Sequence, residues 1–268
     1  MKKRSGNAPR IFYQSFTDPD ETHRYHTKLQ AYATRAAGNG TRVEVVGMKP
    51  ASRRHRVTEM RCGLEVVRNA IRAGREGYDA FILGHFQDSG LWEARSAADI
   101  PVIGLGEASM LHACTLGSTI GLITIHPTFI PYHREQIRRY GLQERVVAIR
   151  AVDSSSGDYV RAFDDPKVAK ALAAHYRREI AALMRDGVEV VLPAGGLPAL
   201  LFGADVRESA APAILLDSIS IAVKAAQMAV ELKRLNGTAA SRALTFAPPS
   251  AAALDAIGVP PAGKNARR

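Results

Sequence analysis

The sequence predicts an α/β fold whose parallel sheets fall into two similar halves that face each other. Three observations carry this. Period-two or all-apolar runs of four to eight residues recur along the chain, and each is followed by a stretch of helical period. The strand runs are apolar enough to be buried on both faces, as the strands of parallel sheets are. Two segments also read almost alike, Gly77–Leu91 (GYDAFILGHFQDSGL) and Gly187–Leu201 (GVEVVLPAGGLPALL). Each has a glycine, an acidic residue, a buried strand, a glycine-containing turn and a new helix, the signature of an internal repeat.

Arg10–Phe16 is the first strand, and the amphipathic stretch Glu21–Ala37 follows it. Arg42–Gly47 leads to the helix Glu59–Glu76, and then come the strands Ala80–His85 and Val102–Leu105. Thr119–Ile125 precedes the helix Pro131–Arg139, and Val146–Ala151 precedes Pro166–Arg185. Glu189–Pro193 and Ile214–Leu216 complete the strands, and Ser218–Leu235 is the last long helix. Eight strands are many for one small sheet, which agrees with duplication. After Gly237 the chain turns Ala/Pro-rich and reads as a mobile or loosely packed tail.

With 268 residues, 46% hydrophobic and 23% charged, the chain is ordinary for one or two globular domains, and wholesale disorder is not expected. The longest apolar candidate, Val190–Ala204, is broken by two prolines and three glycines, so no membrane span is expected. The formal charge of +10 invites a nucleic-acid reading. Its location weakens that reading: +4 lies in Met1–Arg10 and +3 from Gly237 onward, leaving +3 for residues 11–236. The one dense cluster, Ser52-Arg53-Arg54-His55-Arg56, reads as a solvated loop, and no zinc-finger spacing or aromatic-rich RNA motif accompanies it. Nucleic acid is therefore not an expected partner. Cys62 and Cys114 form no CxxC, and no apolar segment follows the basic N-terminus, so a reduced, cytoplasmic setting is expected.

In open parallel sheets, ligands bind outside the carboxyl ends of the strands. The tips deliver Ser15 and Thr17 from the first strand and His85, Phe86 and Gln87 from the third. Glu107 follows the fourth, Thr124 and His126 come from the fifth, Ala194, Gly195 and Gly196 from the seventh, and Ser218 follows the eighth. His85 ends an apolar run, a position for a general acid or base, or for a satisfied structural histidine. His126 is a second such candidate. His133 is expected at the surface or rim, and His23 and His26 on a solvated helix face. Glu107 reads equally as a ligand contact or as a charge favoured at a helix N-terminus. Gly195 and Gly196 either offer N–H groups to an anion or simply allow a tight turn. His85, Glu107 and His126 could in principle converge on zinc, but no HxxxH-type pair supports it, and no metal site is assigned. No GxGxxG, P-loop or GxSxG pattern occurs, so neither a nucleotide cofactor nor a serine triad is supported.

Asp79–Ala113 (DAFILGHFQDSGLWEARSAADIPVIGLGEASMLHA) resembles the core of the Asp/Glu/hydantoin racemase superfamily. Leu122–Leu142, Asp186–Leu201 and Leu215–Leu232 agree in order, so the similarity spans roughly residues 10–236. The resemblance implies two doubly wound lobes related by a pseudo-twofold axis, with the site between them. The first lobe would comprise residues 1–116 plus 217–268, the second 117–216. It also implies racemisation by two cysteines on opposite faces of an activated carbon. Here the first cysteine position matches His85 and the second matches Ala194. An alanine carries no proton, so symmetric two-base chemistry is not expected.

The expectation is thus a cofactor-independent, racemase-like enzyme of amino-acid metabolism, acting on a small carboxylate or cyclic amide through an enolate-like intermediate. His85 and His126 are the candidate acid–base groups, with isomerase, decarboxylase or C–C/C–N lyase chemistry open. Ser15, Thr17, Phe86, Gln87, Glu107, Thr124, Ala194, Gly195, Gly196 and Ser218 are the candidate contacts. Two alternatives stand: a non-catalytic carboxylate-binding or regulatory protein, and a hydrolase using His85 with a bound water or metal. A homo-oligomer is expected.

Overall fold

The computed structural model describes residues 8–49, 55–202 and 211–259. The basic N-terminal residues before Ala8, Arg53 and Arg54 of the basic cluster, and the last prolines of the tail lie outside the described residues. The elements run β1 (Arg10–Gln14), α1 (His23–Ala37), β2 (Arg42–Val46), α2 (Arg56–Arg75), β3 (Ala80–Leu83), α3 (Leu91–Ala97), β4 (Val102–Gly104) and α4 (Leu105–Ala113). They continue with β5 (Ile120–Thr124), α5 (Ile130–Arg139), β6 (Val146–Ala151), α6 (Ser156–Arg161), α7 (Pro166–Arg185), β7 (Val190–Ala194), α8 (Gly196–Phe202), β8 (Ile214–Leu215), α9 (Ser218–Asn236) and α10 (Ala251–Ala256).

The strands form two four-stranded sheets of the same order, β2-β1-β3-β4 and β6-β5-β7-β8, parallel throughout. β3 and β7 therefore hold equivalent places in two lobes related by a pseudo-twofold axis. Gly77 and Gly187, both at positive φ, close the corresponding helices α2 and α7.

Strand periodicity sorts the core. In the first sheet Ile11, Tyr13, Ala80 and Ile82 point into an apolar cluster that continues through Ile120, Leu122, Tyr176 and Phe202 of the second lobe. Phe12, Phe81 and Leu83 point the other way, against Val66, Val67 and Leu91 under α2 and α3. Both faces are covered, which is why these strands are apolar at consecutive positions. After the second sheet the chain returns, and α9 packs on α1, α4, β3 and β4. No described helix is long and apolar enough to cross a membrane.

The tail departs from expectation. Residues 237–259 strap across the first lobe. The Arg242 guanidinium donates to the carbonyls of Ser96 (3.0 Å) and Ala98 (2.6 Å) at the end of α3. Phe246 meets the Trp92 ring edge-on, Arg68 donates twice to the Ile257 carbonyl (2.9 and 2.7 Å), and Val259 is buried. Scattered Phe246, Leu254, Ile257 and Val259 supply apolar anchors that a Pro/Ala-rich composition conceals. Arg56, expected in a solvated loop, opens α2 and forms a bidentate pair with Glu135 of α5 (2.7 and 2.5 Å).

Candidate active site

A cavity of ≈ 90 Å³ lies between the lobes, at the carboxyl ends of β1, β3 and β7. Of the expected residues, Thr17, His85, Gln87, Ala194, Gly195 and Gly196 line it. Thr58, Glu59 and Cys62 of α2 join them, as do Phe16, Met48, Ile125, Phe129 and Ser156.

His85 is held on two sides. The Phe16 ring stacks on it, centroids 4.3 Å apart and planes 14° from parallel. Glu59 Oε2 stands 3.7 Å from His85 Nδ1, an ion-pair separation, with both side chains mostly buried. The loop carrying His85 continues to Asp88, a fully buried carboxylate at φ 54°. Asp88 accepts from the backbone N–H groups of Gly106 (3.1 Å) and Glu107 (2.7 Å) at the start of α4. It also accepts from Gln136 Nε2 (3.0 Å) and the Tyr140 hydroxyl (2.7 Å) of the α5 region. Burial pushes this carboxyl up to about 7, against four donors that favour its charged form.

Two histidines sit elsewhere than expected. His26, placed by the sequence on a solvated face, is buried, and its Nε2 contacts Thr17 Oγ1 at 2.7 Å and the Thr17 carbonyl at 3.1 Å. A carbonyl only accepts, so Nε2 carries the proton. Burial lowers the His26 pKa, which favours the neutral ring behind the Thr17 hydroxyl. His133, expected at the rim, is fully buried, because the helix face that carries it with Gln136 and Ile137 turns inward. It meets Thr124 Oγ1 at 3.1 Å and Gln136 Oε1 at 3.3 Å, and burial brings its pKa down to about 4. Gln136 passes the chain on, donating to the Phe86 carbonyl at 2.5 Å and to Asp88.

The remaining expected contacts are not among the cavity's described lining residues. Ser15 is buried with its hydroxyl 3.1 Å from Thr17 Oγ1, and Phe86 is a core side chain edge-on to His133. Thr124 is spent on His133, and Ser218 is fully buried at the start of α9. Glu107 is engaged by Arg95 at 2.6 Å and faces a separate groove along α4 and α9. His126 closes the 3-10 turn Pro127–Phe129: its Nδ1 accepts from the Thr128 N–H (3.2 Å), and Nε2 lies 3.7 Å from Asp153. The Gly195 N–H bonds the Pro193 carbonyl at 3.0 Å, so that donor is taken by a turn. Among the described residues no group of three or more His, Cys, Asp or Glu side chains gathers to hold a metal, and His85, Glu107 and His126 do not converge.

Sequence reasoning missed Glu59 and Cys62. They lie three apart on one face of α2, a spacing that marks a shared face without saying that the face meets a strand tip. What brings them there is a close backbone approach: a Cβ on Gly90 would sit 2.5 Å from the Gly63 carbonyl oxygen.

The Asp/Glu/Hydantoin racemase family profile matches residues 18–226. A hydantoin racemase from Pseudomonas sp. (strain NS671) is 27% identical over 80% of this chain and 84% of its own length. One from Rhizobium meliloti is 31% identical over 67% of this chain and 70% of its own length. The solved allantoin racemase from Klebsiella pneumoniae superposes with a TM-score of 0.77 at 25% identity, covering 94% of this chain and 99% of that one. With matched sheets, an inter-lobe cavity and a profile that spans most of its length, the chain belongs to the Asp/Glu/hydantoin racemase family.

Proposed function

We propose that the protein is an enzyme acting on a small cyclic amide of the hydantoin type through an enolate-like intermediate, with His85 as a one-sided acid and base. The observation that carries this is the division of chemistry around the cavity. Among the described lining residues, the ionisable side chains Glu59, Cys62 and His85 all belong to the β1–β4 half. The β5–β8 half contributes Ile125, Phe129, Ala194, Leu197 and Pro198, with Ser156 as its one polar side chain.

The same wall favours an uncharged ring over a free carboxylate. No Lys or Arg lines the cavity among the described residues, and Glu59 already places a carboxylate there. A carboxylate stripped of water in such a place needs a cation, whereas a neutral ring of N–H and C=O groups does not. The names of the hydantoin and allantoin racemases among its relatives support the same class.

In the reaction, a His85 ring nitrogen takes the proton from the carbon next to the ring carbonyl. The C–H electron pair passes into that carbonyl as an enolate, and the imidazolium returns a proton to the same carbon. Because His26 donates toward Thr17, the Thr17 hydroxyl has its own proton to give, to Ser15 or to the enolate oxygen. Ala194, in the position that matches the family's second cysteine, offers no proton. The lobes divide for this purpose as residues 1–116 with 217–268 and residues 117–216.

One enantiomer of a 5-substituted hydantoin incubated in D2O tests the reading. Exchange of the C5 hydrogen is expected to outrun loss of optical activity. Inversion that keeps pace with exchange would exclude one-sided chemistry. Absence of exchange with hydantoins, small carboxylates and malonates, together with a ligand-induced rise in Tm, would favour the non-catalytic binding protein.

A further inference from the structure

We infer that Glu59 is the positioning residue of the acid–base group: it fixes the His85 ring and stabilises the imidazolium that forms when His85 takes a proton. The inference rests on the proposed role of His85. Glu59 comes from α2, an element outside the strand tips where such sites are sought. Its carboxylate is pinned by the loop that carries His85: the Ser89 hydroxyl donates to Glu59 Oε2 at 2.5 Å, and the same oxygen stands 3.7 Å from His85 Nδ1.

The contact is built into the backbone. Glu59 lies one helical turn before Gly63, and Gly63 meets Gly90 at the end of the His85 loop so closely that a Cβ on Gly90 would sit 2.5 Å from the Gly63 carbonyl oxygen and one on Gly63 would crowd the Gly90 backbone at 3.2 Å. Helix and loop are thereby locked together with Glu59 over Nδ1. Phe16 covers the ring face and prevents it from turning away.

The other titratable groups around His85, among the described residues, do not supply this charge. His133, from α5, is held neutral by burial. Asp88, in the same loop, is committed to four donors on α4 and the α5 region. Cys62 lines the cavity from α2 and carries no carboxylate. Among the described residues, Glu59 is the carboxylate within ion-pair reach of the ring.

Glu59→Gln keeps shape and removes charge, and Glu59→Asp keeps charge and moves it back. In hydantoin exchange, Glu59→Gln is expected to lower kcat by about tenfold to a hundredfold with KM little changed, the scale on which orienting partners act. The acid limb of the pH profile should shift to lower pH, and Glu59→Asp should recover part of the loss. Equal kcat and an unmoved pH profile in Glu59→Gln would overturn the inference. An NMR titration of the His85 imidazole separates it from the functional reading, since it needs no turnover. A lower midpoint in Glu59→Gln than in the wild type supports the pair even if no substrate is found, and an unmoved midpoint refutes it even if hydantoins are turned over.

Discussion

Tyr140 donates its hydroxyl proton to Asp88 across 2.7 Å, a bond that ties the end of α5 in one lobe to the loop bearing His85 in the other. Asp88 is the carboxylate whose pKa burial raises from 3.8 to about 7. A carboxyl with a folded-state value above its unfolded value binds protons more tightly when folded. Its contribution to stability is therefore full below 3.8 and falls as pH rises toward about 7. Tyr140→Phe removes a donor that favours the charged form and extends this decline to higher pH. Urea unfolding should show a loss of about 2 kcal/mol at pH 8.5 and a smaller one at pH 5.

His133 has the opposite sign. Its pKa falls from 6.5 to about 4, so between these values the unfolded chain holds the proton that the folded one refuses. The stability that it contributes is present above 6.5 and is lost as pH drops toward 4. His133→Leu breaks the chain from Thr124 to Gln136. It is expected to cost about 1–3 kcal/mol at pH 7, with the gap to wild type closing as pH falls, measured by chemical denaturation across that window.

His85→Ala should reduce hydantoin C5 exchange by about a hundredfold or more, the usual share of a general base, with the far-UV spectrum unchanged. Exchange within a few-fold of wild type would move the proton transfer to another group.

Ala194→Cys places a thiol on the wall opposite the β1–β4 half. Ala194 lines the cavity and is itself nearly buried, so the added sulfur points into enclosed space. The variant is expected to raise the ratio of inversion to isotope exchange, read by chiral chromatography of the deuterated product. An unchanged ratio would mean that the second face is closed for another reason.

Truncation after Asn236 removes the strap, with the Arg242 bonds, the Trp92–Phe246 contact and buried Val259. A loss of about 2–4 kcal/mol is expected in equilibrium unfolding. No loss would show that the strap rests on the lobe without supporting it.

Much of the fold was readable because strand and helix periods are strong where both faces of a sheet are covered. Val146–Ala151 and Pro166–Arg185 fall where the sequence places them, and the other strands differ at their ends by a few residues. The site was half readable. Strand-tip residues such as Thr17, His85 and Gly196 follow from topology, since a parallel sheet sends its carboxyl ends one way. Glu59, His26 and His133 do not, because each is on a helix whose polar positions look solvated until the helix is docked. Their burial is decided by Gly63 meeting Gly90, by Thr17 behind α1 and by Thr124 under α5. Glu107 took the second of its two readings, a carboxylate in the first turn of α4, with Arg95 as its partner.

The absence of Lys and Arg from the described cavity wall has a consequence for ionic strength. A ligand recognised without full charges gains nothing from long-range attraction and loses nothing when salt screens it. Raising salt from about 0.05 M to about 0.5 M compresses the Debye length severalfold, which is expected to leave KM nearly flat. The +10 carried by the chain would then govern how molecules of the protein repel one another in solution, and the proposed turnover between the lobes would not sense it.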